Sequence, residues 1–265
     1  ATGGGGSRQS PDRGVSSFRP QDMLTKTDLL VLGGGATATA GWALANRGDK
    51  SARAGGGGRP LAPGGGPVTT CLQVGLYCDR GAPGNTLARL AEIGRGVDPG
   101  SRESLGQATA EACLALLRQR AAWVSGDLYV TQDAPGDYEA CERRFKQLAI
   151  GERAKWSKDT FVNTPQSKVG VDAGAPAKEV APGGPTYAVV TLLAAWDGRL
   201  PPAVANEQVR NPKSLGEVLD VLSTEAVANK SKNLLSLEVL WTPEQKNDVL
   251  TRSEMVEQWP GLIDL

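Results

Sequence analysis

The stretch TYAVVTLLAAW, residues 186–196, is almost continuously apolar and contains several β-branched side chains. A short apolar run followed by a turn such as DGRLPP is typical of a strand that is buried on both faces. β-Branched and aromatic residues between turn signals indicate further strands. These three predicted strands are TTCLQVGLYC at 69–78, WVSGDLYVTQ at 123–132 and LLSLEVLW at 234–241.

Helices are predicted around these strands from capping residues and from apolar side chains at helical spacing. The first predicted helix is capped by Asn85 and ends at Gly94, and the second covers 103–122. The third is capped by Asp137 and carries a stripe of Tyr138, Cys141, Phe145 and Leu148. The fourth has a capping box of Ser214 and Glu217, and the terminal one has a capping box of Thr251 and Glu254 and carries Met255 and Trp259. The order predicts an α+β fold, with a roughly four-stranded sheet and helices packed on it. The strand order is not readable from the sequence.

Composition excludes several kinds of site. The chain has 29 basic and 29 acidic residues, which predicts no global attraction to nucleic acid. It contains no histidine, so this chain cannot build a Ser-His-Asp triad, a Cys-His dyad or a His-ligated metal or haem site. The glycine runs lack the Lys-Ser/Thr ending of a phosphate-binding loop. We therefore expect no catalytic residues, no resident cofactor and no metal site.

The four cysteines are Cys71, Cys78, Cys113 and Cys141. No two of them form the close C-x-x-C pairs that metal sites favour. Cys71 and Cys78 lie on one predicted strand, where a straight backbone separates them by roughly 23 Å. A disulfide requires Cα atoms within about 7 Å, so these two thiols cannot pair on such a strand. We expect all four to be small buried side chains in a reducing compartment.

Glycine divides the chain into regions, since 17 of the 34 glycines lie in the first 66 residues. We interpret residues 1–28 as an extended Gly-rich arm and residues 46–67 as a Gly/Pro-rich tether. Between them, LLVLGGGATATAGWALA at 29–45 carries no charge. The folded α+β domain is predicted over 68–265.

The uncharged segment 29–45 has three interpretations. It is a disordered Gly/Ala spacer, a cleavable export signal ending in ALA, or a single transmembrane helix at the lower end of the length that spans about 30 Å of hydrocarbon. We favour the membrane helix, because small residues at helical spacing suit close packing between membrane helices. Its expected contact residues are Leu29, Leu30, Val31, Leu32, Gly34, Ala38, Gly41, Trp42 and Leu44. More Lys and Arg follow it than precede it, which places the domain on the stromal or cytoplasmic side.

A basic stretch, ERRFKQLAIGERAKWSK at 142–158, interleaves Lys and Arg with Phe145 and Trp156. Such a stretch either docks on a membrane or an acidic partner, or forms the solvated face of an amphipathic helix. The second interpretation is the commoner one.

Five stretches together resemble a family called domain of unknown function 1517, found in cyanobacteria and chloroplasts. They are CLQVGLYC, ACLALLRQRAAWV, ERRFKQLAIGERAKWSKDTFVN, YAVVTLLAAWDGRLPP and LEVLWTPEQKNDVLTRSEMVEQWPGLIDL. The resemblance covers about Val68 to Leu265 and implies a thylakoid or chloroplast-envelope location and a role in photoprotection. It implies no catalytic residue.

We therefore expect a non-enzymatic thylakoid-membrane protein, with its domain on the stromal side, that associates with a photosystem or light-harvesting complex. One or two peripheral pigments at the membrane helix are compatible with the lack of histidine. The alternatives are a soluble stromal binding module with a disordered tail, and an enzyme that uses a thiol at Cys113 or Cys141.

Overall fold

A computed structural model describes residues 65–162, 184–198, 200–205, 209–244 and 248–265, with the backbone alone at 156–162, 202 and 203. The predicted arm over 1–28, the membrane helix over 29–45 and nearly all of the tether over 46–67 lie outside the described residues. The same holds for residues 163–183, in the stretch rich in Pro, Gly and Ala before TYAVVTLLAAW. Within the described ranges, no helix is both long and apolar enough to cross a bilayer.

The described residues form one antiparallel sheet with the strand order β4-β3-β1-β2-β5. Its strands are β1 (Val68–Asp79), β2 (Trp123–Gln132), β3 (Pro185–Trp196), β4 (Leu234–Thr242) and β5 (Ile263–Asp264). The four predicted strands and the α+β class are confirmed. The fifth strand was missed because it has two residues, too few to show a periodicity, and pairs only with Ser125 and Gly126.

Six α-helices connect or follow these strands. They are α1 (Thr86–Arg95), α2 (Arg102–Arg118), α3 (Tyr138–Val162), α4 (Pro202–Ala205), α5 (Pro212–Val227) and α6 (Arg252–Gln258). The predicted helix over 103–122 therefore ends earlier, and residues Arg120–Ala122 form a separate 3-10 turn.

Capping predicted three helix starts correctly and one wrongly. The Asn85 side chain accepts a hydrogen bond from Ala88 N, the Asp137 side chain does so from Ala140 N, and Thr251 and Glu254 form a capping box. The predicted box of Ser214 and Glu217 is wrong. Asn211 caps α5 and Pro212 occupies its first helical position, so Ser214 is the third helical residue and forms the capping box with Asn211.

Helices cover both faces of the sheet. On one face, α1, α2 and α5 pack on alternate residues of β1, β3 and β4 and form the larger apolar core. On the other face, α3 and α6 cover two smaller apolar clusters, one around Phe145 and Leu193 and one around Met255 and Trp259. Strands β3 and β1 lie inside the sheet and are covered by helices on both faces. Their sequences are therefore nearly continuous apolar runs.

We expect opposite effects from two glycine-to-alanine changes in helices. A Cβ on Gly106 of α2 would collide with the Ser231 hydroxyl and with the carbonyl of Ala226, whereas a Cβ on Gly151 of α3 meets nothing within 4 Å. Gly106→Ala should lower the free energy of unfolding by about 1–3 kcal/mol, because the backbone would have to shift to relieve the collision with the Ala226 carbonyl. Gly151→Ala should raise it by about 0.4–1 kcal/mol, because alanine reduces the entropy of the unfolded chain. Urea denaturation of both variants tests this, and a stabilised Gly106→Ala would contradict the packing of α2 on the chain after α5.

Candidate functional site

A group of polar side chains, all but one of them buried, lies between α3, α6 and the sheet, beside the two smaller apolar clusters. We call it the polar cluster. Its members are Gln73, Ser125, Glu152, Lys155, Thr191 and Trp259. Polar groups are buried at a cost unless they are hydrogen-bonded, so such a cluster requires an explanation from its contacts.

The Glu152 carboxylate joins three elements of the fold. It is 6% exposed, and its Oε1 lies 2.6 Å from Lys155 Nζ. Its Oε2 accepts hydrogen bonds from Trp259 Nε1 at 3.0 Å and from Thr191 Oγ1 at 3.3 Å. The Lys155 ammonium also lies 5.2 Å from the centre of the Trp259 ring. One carboxylate therefore ties α3 to β3 and to the end of α6, and both of its oxygens are engaged.

Two other members of the polar cluster each contain one buried polar atom that has no hydrogen-bond partner among the described residues. These atoms are Gln73 Nε2 and Ser125 Oγ, on residues that are 3% and 1% exposed. Gln73 is in register with Thr191, and Ser125 lies opposite Gly75, close to Met255 of the C-terminal segment. Each unsatisfied group costs about 1–3 kcal/mol.

A second buried carboxylate, on β4, contacts α3 at the residue after Glu152. Glu238 of β4 is 2% exposed, and its Oε1 accepts hydrogen bonds from Arg153 at 2.7 Å. Burial raises the pKa of the Glu238 carboxyl above its ordinary value, and the Arg153 guanidinium only partly opposes that shift. The folded protein therefore holds this proton more tightly than the unfolded chain does.

That difference predicts a dependence of stability on pH. The stabilising contribution of Glu238 should be greatest below pH 4.5, the ordinary pKa, and should decline as the pH rises through the raised value. Relative to Glu238→Gln, which cannot ionise, the free energy of unfolding should fall by up to about 1.4 kcal/mol per pH unit in that window. Urea denaturation from acid to neutral pH measures it. Arg153→Met should extend the decline to higher pH, and a free energy of unfolding that rises with pH relative to Glu238→Gln would show that the sign is wrong.

These contacts also account for the charges of the basic stretch 142–158. Besides Arg153 and Lys155, Lys146 lies 2.8 Å from Glu142 and Arg144 lies 2.7 Å from Asp133. Several of its basic side chains are therefore paired within the molecule, and two of those pairs reach buried acids.

None of the four cysteines forms a disulfide and all four are buried, as expected from their positions on apolar stripes and strands. Burial raises the pKa of the Cys113 thiol to about 12, and it also raises the pKa values of Cys78 and Cys141. A raised pKa and a buried position suppress the thiolate that nucleophilic chemistry requires. Among the described residues, no three acidic or cysteine side chains are arranged to hold a metal ion.

An open cleft of about 440 Å³ runs along the helical hairpin of α1 and α2. We call it the arginine cleft, because Arg89, Arg95 and Arg118 line it together with a single acid, Glu92. Buried Thr86 and Ala115 provide small side chains at its floor. Its charge is therefore positive, although the charges of the whole chain cancel.

The expected membrane contacts, Leu29 to Leu44, lie outside the described residues, so the structure does not place them. Sequence reasoning missed the polar cluster and the arginine cleft. The only local signal was the i, i+3 spacing of Glu152 and Lys155 on a helix. Trp259 lies 107 positions from Glu152, and no pattern connects the two.

Two curated proteins are similar to this chain. One is Protein FLAP1 homolog A of Synechocystis sp. (strain ATCC 27184 / PCC 6803 / Kazusa), 32% identical over 228 residues that cover 83% of this chain and 63% of that protein. The other is the chloroplastic FLUCTUATING-LIGHT-ACCLIMATION protein 1 of Arabidopsis thaliana, 34% identical over 197 residues that cover 72% of this chain and 45% of that protein. The matches thus span less than two thirds of either relative. No solved structure matches significantly.

The family model described as a protein of unknown function, DUF1517, matches residues 68–265. That range begins at the first residue of β1 and includes every strand and helix of the described structure. This confirms the resemblance seen in the five sequence stretches, and the chain belongs to the DUF1517 family.

Proposed function

We propose that this protein acts in acclimation to changing light in an oxygenic phototroph, in the chloroplast or in its cyanobacterial equivalent. The observation that carries the proposal is the similarity to one relative named for fluctuating-light acclimation and to another named as its homologue. One comes from a chloroplast and one from a cyanobacterium, and both matches include most of the family domain.

We propose further that the protein works by binding, without catalysis or a resident cofactor. Its partner would be a photosystem or light-harvesting complex, and its membrane attachment would be the helix over 29–45 in the thylakoid, with the domain on the stromal side. The absence of histidine and the buried thiols with raised pKa values support a binding role. The charge-free stretch and the Lys and Arg after it support the attachment and its orientation.

Complementation tests the role in acclimation. The full chain should restore wild-type chlorophyll fluorescence under alternating light in a cyanobacterial strain that lacks its own homologue. The matched control is the Glu152→Ala variant. Its fold should be weakened, so it should restore the wild-type chlorophyll fluorescence less completely. Full expression of the wild-type chain without any change in fluorescence would contradict the proposal.

Carbonate extraction of membranes tests the attachment. Replacing Ala36 and Ala38 by lysine places two charges near the centre of the uncharged stretch, where each costs about 2.5–3.5 kcal/mol in a membrane helix. We expect the wild-type chain to stay in the membrane pellet and this variant to be released. Ser51→Lys in the tether is the matched control and should stay. Release of the wild-type chain together with both variants would favour the soluble stromal module instead.

A further inference from the structure

The arginine cleft has two guanidinium groups that the fold does not use. Arg89 is engaged by two acids, with Glu92 at 2.6 Å and Glu111 at 3.0 Å. Arg95 and Arg118 are exposed and form no ion pair or hydrogen bond with another described residue. By contrast, exposed Arg143 of α3, Lys213 of α5 and Arg252 of α6 each lie within 4.0 Å of an acid.

The shape of the cleft fits an elongated ligand. Helix α1 has 10 residues, which at about 1.5 Å per residue gives a length of roughly 15 Å. Arg118 lies at the end of α2 beside the start of α1, Arg89 lies near the middle, and Arg95 is the last residue of α1. An extended chain rises about 3.3 Å per residue and places alternate side chains on one side. About five extended residues would therefore span the row of arginines.

The charges of the cleft select an acidic ligand. Its lining has three arginines and one glutamate, an excess of two positive charges. Arginine presents a fork of donors that matches a carboxylate, and an open cleft leaves both unpaired forks accessible. The small side chains at Thr86 and Ala115 leave room for a peptide backbone to approach the floor. A flat bilayer surface would meet only the rim of such a concave site.

We propose that the arginine cleft is a docking site for an extended acidic peptide segment, about five residues long, of a protein partner. Arg95 and Arg118 bind its carboxylates, and Arg89 adds a third contact by exchanging one of its own acids. This inference rests on the proposed binding role, and it assigns that role to the α1–α2 face, remote from the basic stretch of α3.

Fluorescence anisotropy with a labelled hexaglutamate peptide tests the proposal on the full chain. The test variant combines Arg95→Glu with Arg118→Glu, and the control combines Arg143→Glu with Lys213→Glu, so the net charge changes equally. At a low salt concentration of about 50 mM, where screening is weak, we expect the test variant to bind at least about tenfold more weakly and the control to change less than about threefold. All four positions are exposed, so folding should be retained, and circular dichroism checks it.

Three outcomes would overturn the proposal. Equal weakening by both variants would show that only net charge matters. Weaker binding of the test variant to phosphatidylglycerol vesicles, with hexaglutamate binding unchanged, would assign the cleft to a membrane surface. Sedimentation with the photosynthetic complex separates this proposal from the proposed function. If the wild-type chain and the test variant both co-sediment with the complex, the cleft is not the docking site and the proposed function is unaffected. If the wild-type chain itself does not co-sediment, the proposed function is refuted.

Discussion

Glu152→Ala should lower the free energy of unfolding by about 3–5 kcal/mol, the range for removing one partner of a buried ion pair. The change leaves the Lys155 ammonium, only 15% exposed, without its carboxylate at 2.6 Å. It also removes the acceptor of Trp259 Nε1 and Thr191 Oγ1. Urea denaturation measures the loss of stability.

The control for this prediction is Glu139→Ala on the same helix. Glu139 and its partner Arg143 are both 65% exposed and 3.7 Å apart, so the change should cost no more than about 1 kcal/mol. Hydrogen exchange gives a more specific readout. In Glu152→Ala, the amides of Trp259 and Leu265, bonded to Met255 O and Val124 O, should lose protection before those of β1 and β3. Equal stability of the two variants would contradict the role of Glu152.

Trp196→Ala should cost about 3–5 kcal/mol, the range for truncating a large aromatic side chain in a core. Trp196 is 1% exposed, and its Nε1 donates a hydrogen bond to Thr70 Oγ1 at 2.9 Å on the neighbouring strand. Trp196→Phe keeps most of the apolar area and loses that hydrogen bond, so it should cost about 1–2 kcal/mol from the bond and the smaller ring. Denaturation of both variants by urea gives the two values.

An exposed aromatic residue on an adjacent strand provides the control. Tyr77 is 50% exposed and contacts the Tyr187 ring at 5.1 Å between centroids. Tyr77→Ala should cost less than Trp196→Ala, because Tyr77 is already half exposed in the folded protein and the aromatic pair adds only about 0.5–1.5 kcal/mol beyond area burial. If Trp196→Ala cost no more than Tyr77→Ala, Trp196 would not lie in the core of the sheet.

The local pattern of the sequence predicted most elements of this fold because each element carries its own signal. TYAVVTLLAAW predicted an interior strand correctly, since β3 is paired on both sides and covered on both faces. Asn85 and Thr251 predicted helix starts because a capping side chain acts on backbone only two or three residues away. Ser214 led to a wrong helix start because its side chain also bonds to nearby backbone, as a member of the capping box. The residue that caps α5 is Asn211.

The contacts that define the candidate sites could not be predicted because they join distant parts of the chain. Glu152 looked like one of several charges on a solvated helix, and its burial follows only when α6 lies beside α3. Arg95 and Arg118 are separated by a turn and a whole helix, and they line one cleft only because α1 and α2 form a hairpin. Such juxtapositions depend on topology, which periodicity does not encode.

The most direct test of the proposed function is sedimentation of the full chain with detergent-solubilised thylakoid membranes through a sucrose gradient. If the protein is a membrane-attached binding partner of a photosynthetic complex, it should migrate with one of the green chlorophyll–protein bands. If it remains at the top of the gradient with free protein while those bands are intact, association with a photosynthetic complex is contradicted.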